Sequence, residues 1–392
     1  MNPEEGFADS SCMFQEKIDL ANENMIVTPW VVSGEIDYDK LIQQFGTEPI
    51  TEALLERIKK HTGDLHLQLR RRIFFSHRDL NWILDMYEKG ERFCLYTGRG
   101  PSGDVHIGHV VPWIFTKYLQ DKFGAKLYFQ LTDDEKFFIT PEMSKEKALS
   151  LSYENALDVI AIGFDPKKTK LISDMKNAKV MYNIAIDVAK HVTASTAKAV
   201  FGFTDSSNIG IIFFPSMQAA PCFVESVFEK KNVPCLIPAA IDQDPYWRIA
   251  RDVAPKLGYY KPAQIHSRFL PGLGKGGKMS SSMPETCIFT VDSPKVAEKK
   301  IMNAFTGGRS TVEEQRKLGA DPSICTVYDY ERLMFEPDDK KLIELERLCK
   351  TGQILCGECK QILAERVKKF LIEHQKRREK AKDLVESYFL QS

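Results

Sequence analysis

The sequence predicts an α/β protein built on a doubly wound parallel sheet, with an N-terminal appendage before it and an all-helical C-terminal domain after it. Three observations carry this. A strand, a glycine turn, a helix and a second strand follow one another over 92–131; strands and helices keep alternating to about residue 241; and from about Ser293 the pattern is almost wholly helical with charged outer faces. At 392 residues the chain exceeds one ordinary core, which suits such a division. Its 43 % hydrophobic and 28 % charged residues are the mixture of a folded protein rather than a disordered or fibrous one.

Residues 1–25 carry six acids and one lysine without periodicity and read as a flexible tail. The appendage, 26–89, opens with the extended run 26–32, continues with helical spacing over 37–45 and 52–62, and closes with a capped helix over 76–89. The central domain, 90–292, begins with the strand formers Arg92–Tyr96 and the turn Thr97–Gly103. A helix from His106 to Phe123 and a strand at Lys126–Leu131 complete a β-α-β unit, the mark of a Rossmann-like sheet. A helix at 145–163, a strand near 170–172, one long helix near 178–200 and a strand at 234–241 continue the alternation. The last domain, 293–392, has heptad-like spacing in 355–370.

Apolar runs such as Val110–Phe115 are far shorter than the ~20 residues that cross a bilayer, and the first 25 residues lack the pattern of a signal peptide, so a cytoplasmic location without membrane contact is expected. Nine cysteines without framework spacing are expected as reduced thiols. Cys356-Gly-Glu-Cys359 has metal-ligand spacing, but no second Cys or His pair lies near it in sequence, and no metal site is expected. Net charge is zero, yet residues 340–382 hold 13 Lys and Arg against 6 Glu, so one end suits a polyanion. Within it, Lys376-Arg377-Arg378 is the densest basic run; Arg70-Arg71-Arg72 is a second one in the appendage.

Two segments carry chemistry. Gly98-Arg99-Gly100-Pro101-Ser102-Gly103 matches the dinucleotide fingerprint G-x-G-x-x-G, which opens a dehydrogenase reading; against it, Pro101 removes an amide and no acid ends the next strand near Gln130. The same turn runs into His106-Ile107-Gly108-His109 at a helix N-terminus, where unpaired amides and the helix dipole favour phosphates. Gly108 would let a nucleotide approach the backbone. The second segment, Gly272–Ser282, is glycine-rich, contains Lys275 and Lys278, and ends in serines, as a mobile loop that engages an anion would. Either segment alone also fits a merely structural turn.

Taken together, in this order, the two resemble the HIGH and KMSKS signatures of class I aminoacyl-tRNA synthetases. His106–His109 matches the first letter for letter, and Lys278–Ser282 matches the second except that Ser281 stands where the second lysine is expected. The segments Thr132–Phe137, Phe201–Ser206, Phe214–Pro221, Ala240–Arg248, Asp37–Ile42 and Phe74–Asp79 further resemble the tryptophanyl-tRNA synthetase family of the eukaryotic and archaeal branch, over about residues 27–392. A tyrosine-specific synthetase shares the architecture and is the nearest rival.

The resemblance implies a catalytic domain at 90–292 containing a dimerisation insertion at about 137–235, an anticodon-binding domain at 293–392, and a homodimer. It implies L-tryptophan, ATP with Mg²⁺ as a substrate complex, and tRNA(Trp) as partners, with no tightly bound cofactor. His106, His109 and Lys278 would act at the phosphates, with Arg99 assisting there or at the carboxylate. Gly98, Gly100, Gly108, Met279, Ser280 and Ser282 would contact ATP. Tyr96 and Gln130 would hydrogen-bond the indole N–H, and Glu135, Gln218 and Gln243 would surround the substrate ammonium.

Overall fold

Seven strands form one sheet in the computed structural model, which describes residues 26–27, 32–33, 36–276, 279–280 and 283–391; the tail expected at 1–25 lies outside them. A small antiparallel pair, β1 (Ile26–Val27) and β2 (Val32–Ser33), stands apart from it. The seven are β3 (Glu48–Pro49), β4 (Phe74–Arg78), β5 (Cys94–Arg99), β6 (Lys126–Leu131), β7 (Thr169–Ser173), β8 (Cys235–Ala240) and β9 (Ala263–Ser267), in the order β3-β4-β9-β8-β5-β6-β7. From β9 to β7 all neighbours are parallel, while β4 and β3 add an antiparallel edge. Chain order thus runs outward from β5 in both directions, which makes the doubly wound sheet the sequence predicted.

Alternation along the strands builds a core on each face. Leu95, Leu127, Phe129, Leu171, Leu236 and Ile265 point to one side. Cys94, Tyr96, Tyr128, Ile172, Cys235 and Ile237 point to the other. Helices Ile107–Phe123 and Lys145–Ala161 cover the first face, and helices Ala178–Ala189, Ile209–Ala219, Pro221–Glu229 and Asp244–Val253 cover the second.

Four expectations change. The strand β5 runs on through Gly98 and Arg99, which pair with Gln130 and Leu131 instead of belonging to the turn. Ser76–Arg78, expected inside a helix, lie in β4, and the helix begins only at Leu80 because Asp79, with φ 54, turns the chain. The long helix near 178–200 breaks after Ala189, and Thr193 restarts it by accepting from the Thr196 amide at 3.1 Å. The strand β9 was not expected at all: its Gln264 and His266 hide the apolar alternation. They are buried by private partners, His266 Nδ1 on Ser76 Oγ at 3.0 Å and His266 Nε2 on Gln264 Oε1 at 2.8 Å.

Beyond residue 293 the helices Pro294–Met302 and Cys356–Ala381 share a core formed by Ala297, Ile301, Leu363, Ala364, Val367 and Leu371. The long helix also reaches the sheet's cover: His374 Nε2 and Asp158 Oδ1 are 2.8 Å apart, and Arg378 Nε donates to Asp158 Oδ2 at 3.3 Å. The chain finally returns to the sheet, where the Leu390 amide donates to the Leu171 carbonyl at 2.8 Å beside β7.

Candidate active site

A cleft of about 330 Å³ opens at the carboxyl ends of β5, β6, β8 and β9. This is where an open parallel sheet whose order reverses leaves a crevice. Arg99, Gly98, Gly100, His106, Gly108 and His109 line it from the β5 turn, Glu135 from the end of β6, Gln218 from helix Ile209–Ala219, Gln243 from the turn after β8, and Met279 from the glycine-rich loop. Two distant motifs are therefore brought to one place. The segment following the loop does this: the Ile107 amide donates to the Ile288 carbonyl at 3.0 Å, and the Thr290 amide to the Val105 carbonyl at 2.8 Å. Lys278 and Ser282 lie outside the described residues. Ser280 accepts through its carbonyl from the Met283 amide at 3.1 Å, which turns the chain beside Met279.

His106 caps helix Ile107–Phe123 and stacks on His109, ring centroids 3.6 Å apart. The His106 amide donates to His109 Nδ1 at 3.3 Å, so the second imidazole closes the first turn of its own helix. Arg99 is buried and braces this turn. Its Nη1 lies 2.6 Å from His109 Nδ1, its Nη2 donates to the carbonyls of Gly103 and Asp104 at 3.0 Å each, and its Nε donates to Asn155. Burial lowers its guanidinium to about 10. Arg99 borders the cleft, but its donors are directed at the turn.

The glycines read differently from the sequence. A Cβ on Gly108 would meet the His106 ring at 3.0 Å and Met279 Cβ at 3.5 Å, so this close approach serves the histidine and the loop. A Cβ on Gly98 would lie 2.8 Å from the Gln130 carbonyl, a strand-to-strand contact. One on Gly100 would collide with Lys136. Gly103 faces open space and precedes the helix by several residues, so it does not pack helix on strand as the third glycine of a dinucleotide fingerprint does. The dehydrogenase reading loses its geometric basis.

Tyr96 and Gln130 are fully buried behind the cleft wall. The Tyr96 hydroxyl lies 2.5 Å from Gln130 Oε1 and 2.9 Å from the Gln218 carbonyl, and accepts from Gln218 Nε2 at 3.1 Å. Gln130 Nε2 donates to both oxygens of Asp174 at 2.9 Å and to the Met217 carbonyl at 3.3 Å. Burial, reinforced by Asp134 and Asp133, holds the Asp174 carboxyl well above the usual carboxylate range, and burial lifts Asp134 to about 7. Glu135 Oε2 accepts from Thr132 Oγ1 at 2.9 Å and faces Lys136 Nζ at 3.1 Å. Asp174, Asp134 and Asn155 escaped the reading of the sequence. Asp174 and Asp134 left a signal, since each follows a predicted strand at the end where such sheets bind ligands; Asn155, inside a helix, left none.

Basic clusters prove less free than their sequence suggests. Arg70 and Arg71 both donate to Asp339 at 2.7 Å. Arg72 is paired with Glu52, and Arg378 with Glu154 and Asp158. Lys376 and Arg377 are exposed. No single helix among the described residues is long and apolar enough to cross a membrane.

The family described as tRNA synthetases class I (W and Y) matches residues 88–372. A tryptophan–tRNA ligase of Pyrobaculum calidifontis is 53 % identical over 371 residues, covering 95 % of this chain and 99 % of that protein. A tryptophan–tRNA ligase of Pyrococcus furiosus is 54 % identical over 369 residues, covering 93 % of this chain and 94 % of that one. Among solved structures, tryptophanyl-tRNA synthetase of Plasmodium falciparum has a TM-score of 0.85 at 40 % identity, covering 91 % of this chain and 98 % of that chain.

Proposed function

The chain belongs to the class I tRNA synthetases of the tryptophan and tyrosine family, and from that premise we propose that it activates L-tryptophan with ATP and transfers it to tRNA(Trp). The observation that supports this most is the shared cleft: the His106–His109 turn and the loop residue Met279 border the same space as Glu135, Gln218 and Gln243.

In this reading the tryptophan carboxylate attacks the α-phosphorus of ATP in line, the bond to the bridging oxygen breaks, and pyrophosphate leaves. The chain contributes position and charge and forms no covalent intermediate. His106 and His109 donate to phosphoryl oxygens, and Lys278 balances charge on the departing pyrophosphate. Arg99 acts one step back, holding the turn that presents His109. Mg²⁺ arrives with ATP as part of the substrate, held through phosphates and water rather than by a dedicated protein cage. Glu135, Gln218 and Gln243 receive the ammonium, and the Tyr96–Gln130 pair the indole N–H. The terminal ribose hydroxyl of tRNA then attacks the adenylate carbonyl and AMP departs.

Three companions of the reading are proposals too: a cytoplasmic location, helices beyond 293 that bind the anticodon, and a homodimer joined through the 137–235 insertion. The last is supported by exposed apolar side chains on neighbouring helices there, Ile209 at 85 % and Tyr182 at 55 % exposure. The test of function is ATP–pyrophosphate exchange with each of the twenty amino acids. Exchange is expected with tryptophan alone; a response to tyrosine in its place would sink the reading.

A further inference from the structure

Three arginine and lysine side chains border the cleft among the described residues: Arg99, Lys136 and Arg268. Two of them are already engaged. Arg99 braces the histidine turn, and Lys136 Nζ faces Glu135 Oε2 at 3.1 Å. Arg268 differs. Its guanidinium makes no hydrogen bond or ion pair with any described residue, and its Nε is buried without a partner. Asp39 and Asp329 act on it only from beyond ion-pair distance, Asp329 being paired with Arg332 at 3.2 Å. A buried donor left unmet is a cost that a bound ligand removes.

The fold holds this side chain in place without using its donors. Arg268 follows the last residue of β9, at the carboxyl end of the strand. Its guanidinium carbon lies 4.4 Å from the centre of the Tyr38 ring and 6.0 Å from that of Phe75. Tyr38 opens helix Tyr38–Phe45 in the appendage, Phe75 belongs to β4, and the two rings meet edge to face at 4.9 Å. The Phe269 amide donates to the Tyr38 hydroxyl at 3.1 Å, which pins the ring against the arginine. Stacking occupies the flat face of a guanidinium and leaves the N–H groups on its rim free to donate. Two residues on, the Leu270 carbonyl accepts from the Met279 amide at 2.9 Å, so the same stretch of chain anchors the glycine-rich loop.

We propose that Arg268 contacts the triphosphate of bound ATP, placing a fixed positive charge beside the loop in which Ser281 stands where the signature has its second lysine; this assignment rests on ATP being the substrate of the cleft. The planar fork of an arginine suits two phosphoryl oxygens at once, as a single ammonium does not. No covalent bond forms to Arg268 and no proton leaves it. Its contribution is a charge-assisted hydrogen bond to the phosphates that depart as pyrophosphate.

The test compares wild type with Arg268→Met, which keeps an apolar stem against Tyr38 and removes the charge. Pyrophosphate exchange gives KM for ATP and for tryptophan, and inhibition by inorganic triphosphate and by adenosine separates the phosphates from the base. Expected is a rise of ~10–100-fold in KM for ATP with an equal weakening of inorganic triphosphate, adenosine inhibition and tryptophan KM being little altered. An unaltered KM for ATP in folded Arg268→Met overturns the proposal, and so does an equal loss for adenosine, which would put the arginine on the base. Should Arg268→Met not fold, labelling of native wild type with phenylglyoxal decides: inorganic triphosphate shields Arg268 in peptide maps and adenosine does not. Equal labelling with and without triphosphate is then the overturning result. Labelling needs no turnover, so a chain that failed to exchange with tryptophan would sink the function proposed above and still leave Arg268 to be judged.

Discussion

The cleft and the C-terminal helices hold their polar groups in opposite ways. Tyr96, Gln130 and Asp174 behind the cleft, and Gln218 in its wall, are buried and joined by hydrogen bonds that fix their orientation. On the helices, Lys376 and Arg377 stand in solvent, whereas Arg378 is held by Glu154 of this same chain. Burial makes a hydrogen bond selective because an unmet donor or acceptor there cannot turn to water. Exposure leaves each charge weak and screened by salt beyond about 10 Å at 0.1 M, so its pull comes from many charges acting together. One region is suited to discriminating a small molecule and the other to attracting a large polyanion.

The sharpest break of this contrast is at Tyr96 and Gln130. If the buried network reads the indole N–H, phenylalanine is rejected by ~10⁴ or more without editing. Tyr96→Phe with Gln130→Leu lowers that ratio, measured as kcat/KM for tryptophan against phenylalanine. An unchanged ratio would make the network a mere wall.

Lys278→Ala comes next: adenylate formation slows ~10²–10³, the usual effect of removing one donor at a developing anion. Its basis is the motif alone, since Lys278 lies outside the described residues. Pyrophosphate exchange measures it, with tryptophan KM little altered. Near-normal exchange would hand the role to Lys275 or another group.

Asp134→Asn sharpens the contrast through stability. Burial lifts the Asp134 carboxyl to about 7, so the folded chain holds a proton there that the unfolded chain releases near 4. Its stabilising influence is complete below about 4 and is lost as pH rises to about 7. The asparagine variant therefore gains on the order of a few kcal/mol over wild type at pH 8 but not at pH 4, as thermal melts at the two values would reveal. A gain equal at both values would mean that folding leaves the pKa of Asp134 unshifted.

The smallest change belongs to the exposed region. Reversing Lys376 and Arg377 to Glu, and leaving Arg378 in its internal pairs, weakens tRNA binding and reduces its salt slope by ~0.7–0.9 for each phosphate no longer neutralised. Exchange without tRNA stays intact. A salt titration of tRNA binding with an unaltered slope would assign these two residues to a plain solvated face.

What the sequence could tell follows the same division. The strands β5, β6, β7 and β8 were legible because both of their faces are apolar, and both halves of the cleft were legible because glycines and histidines at a helix start form a dense local signal. The strand β9 was not, since Gln264 and His266 are neutralised by partners such as Ser76, nearly two hundred positions away. Gln218 and Gln243 could be named only through the resemblance; no local pattern distinguishes a glutamine that faces a cleft. Charge counts misled most. They registered Arg70, Arg71 and Arg378 as available, and only the fold shows that Asp339, Glu154 and Asp158 hold them.

The return of the chain to β7 has a consequence in time. Asn177 Nδ2 donates to the Leu390 carbonyl at 2.7 Å across a separation of 213 positions, next to the bond from the Leu390 amide to Leu171. The last strand ends at Ser267, and a ribosome adding 5–20 residues per second needs roughly 6–25 s from there to reach Leu390. Throughout that interval a nascent chain whose sheet has already formed presents a bare strand edge, open to any neighbouring chain on the same message. The Phe389–Leu390 segment is thus a latch on that edge, set only after every strand of the sheet has been made.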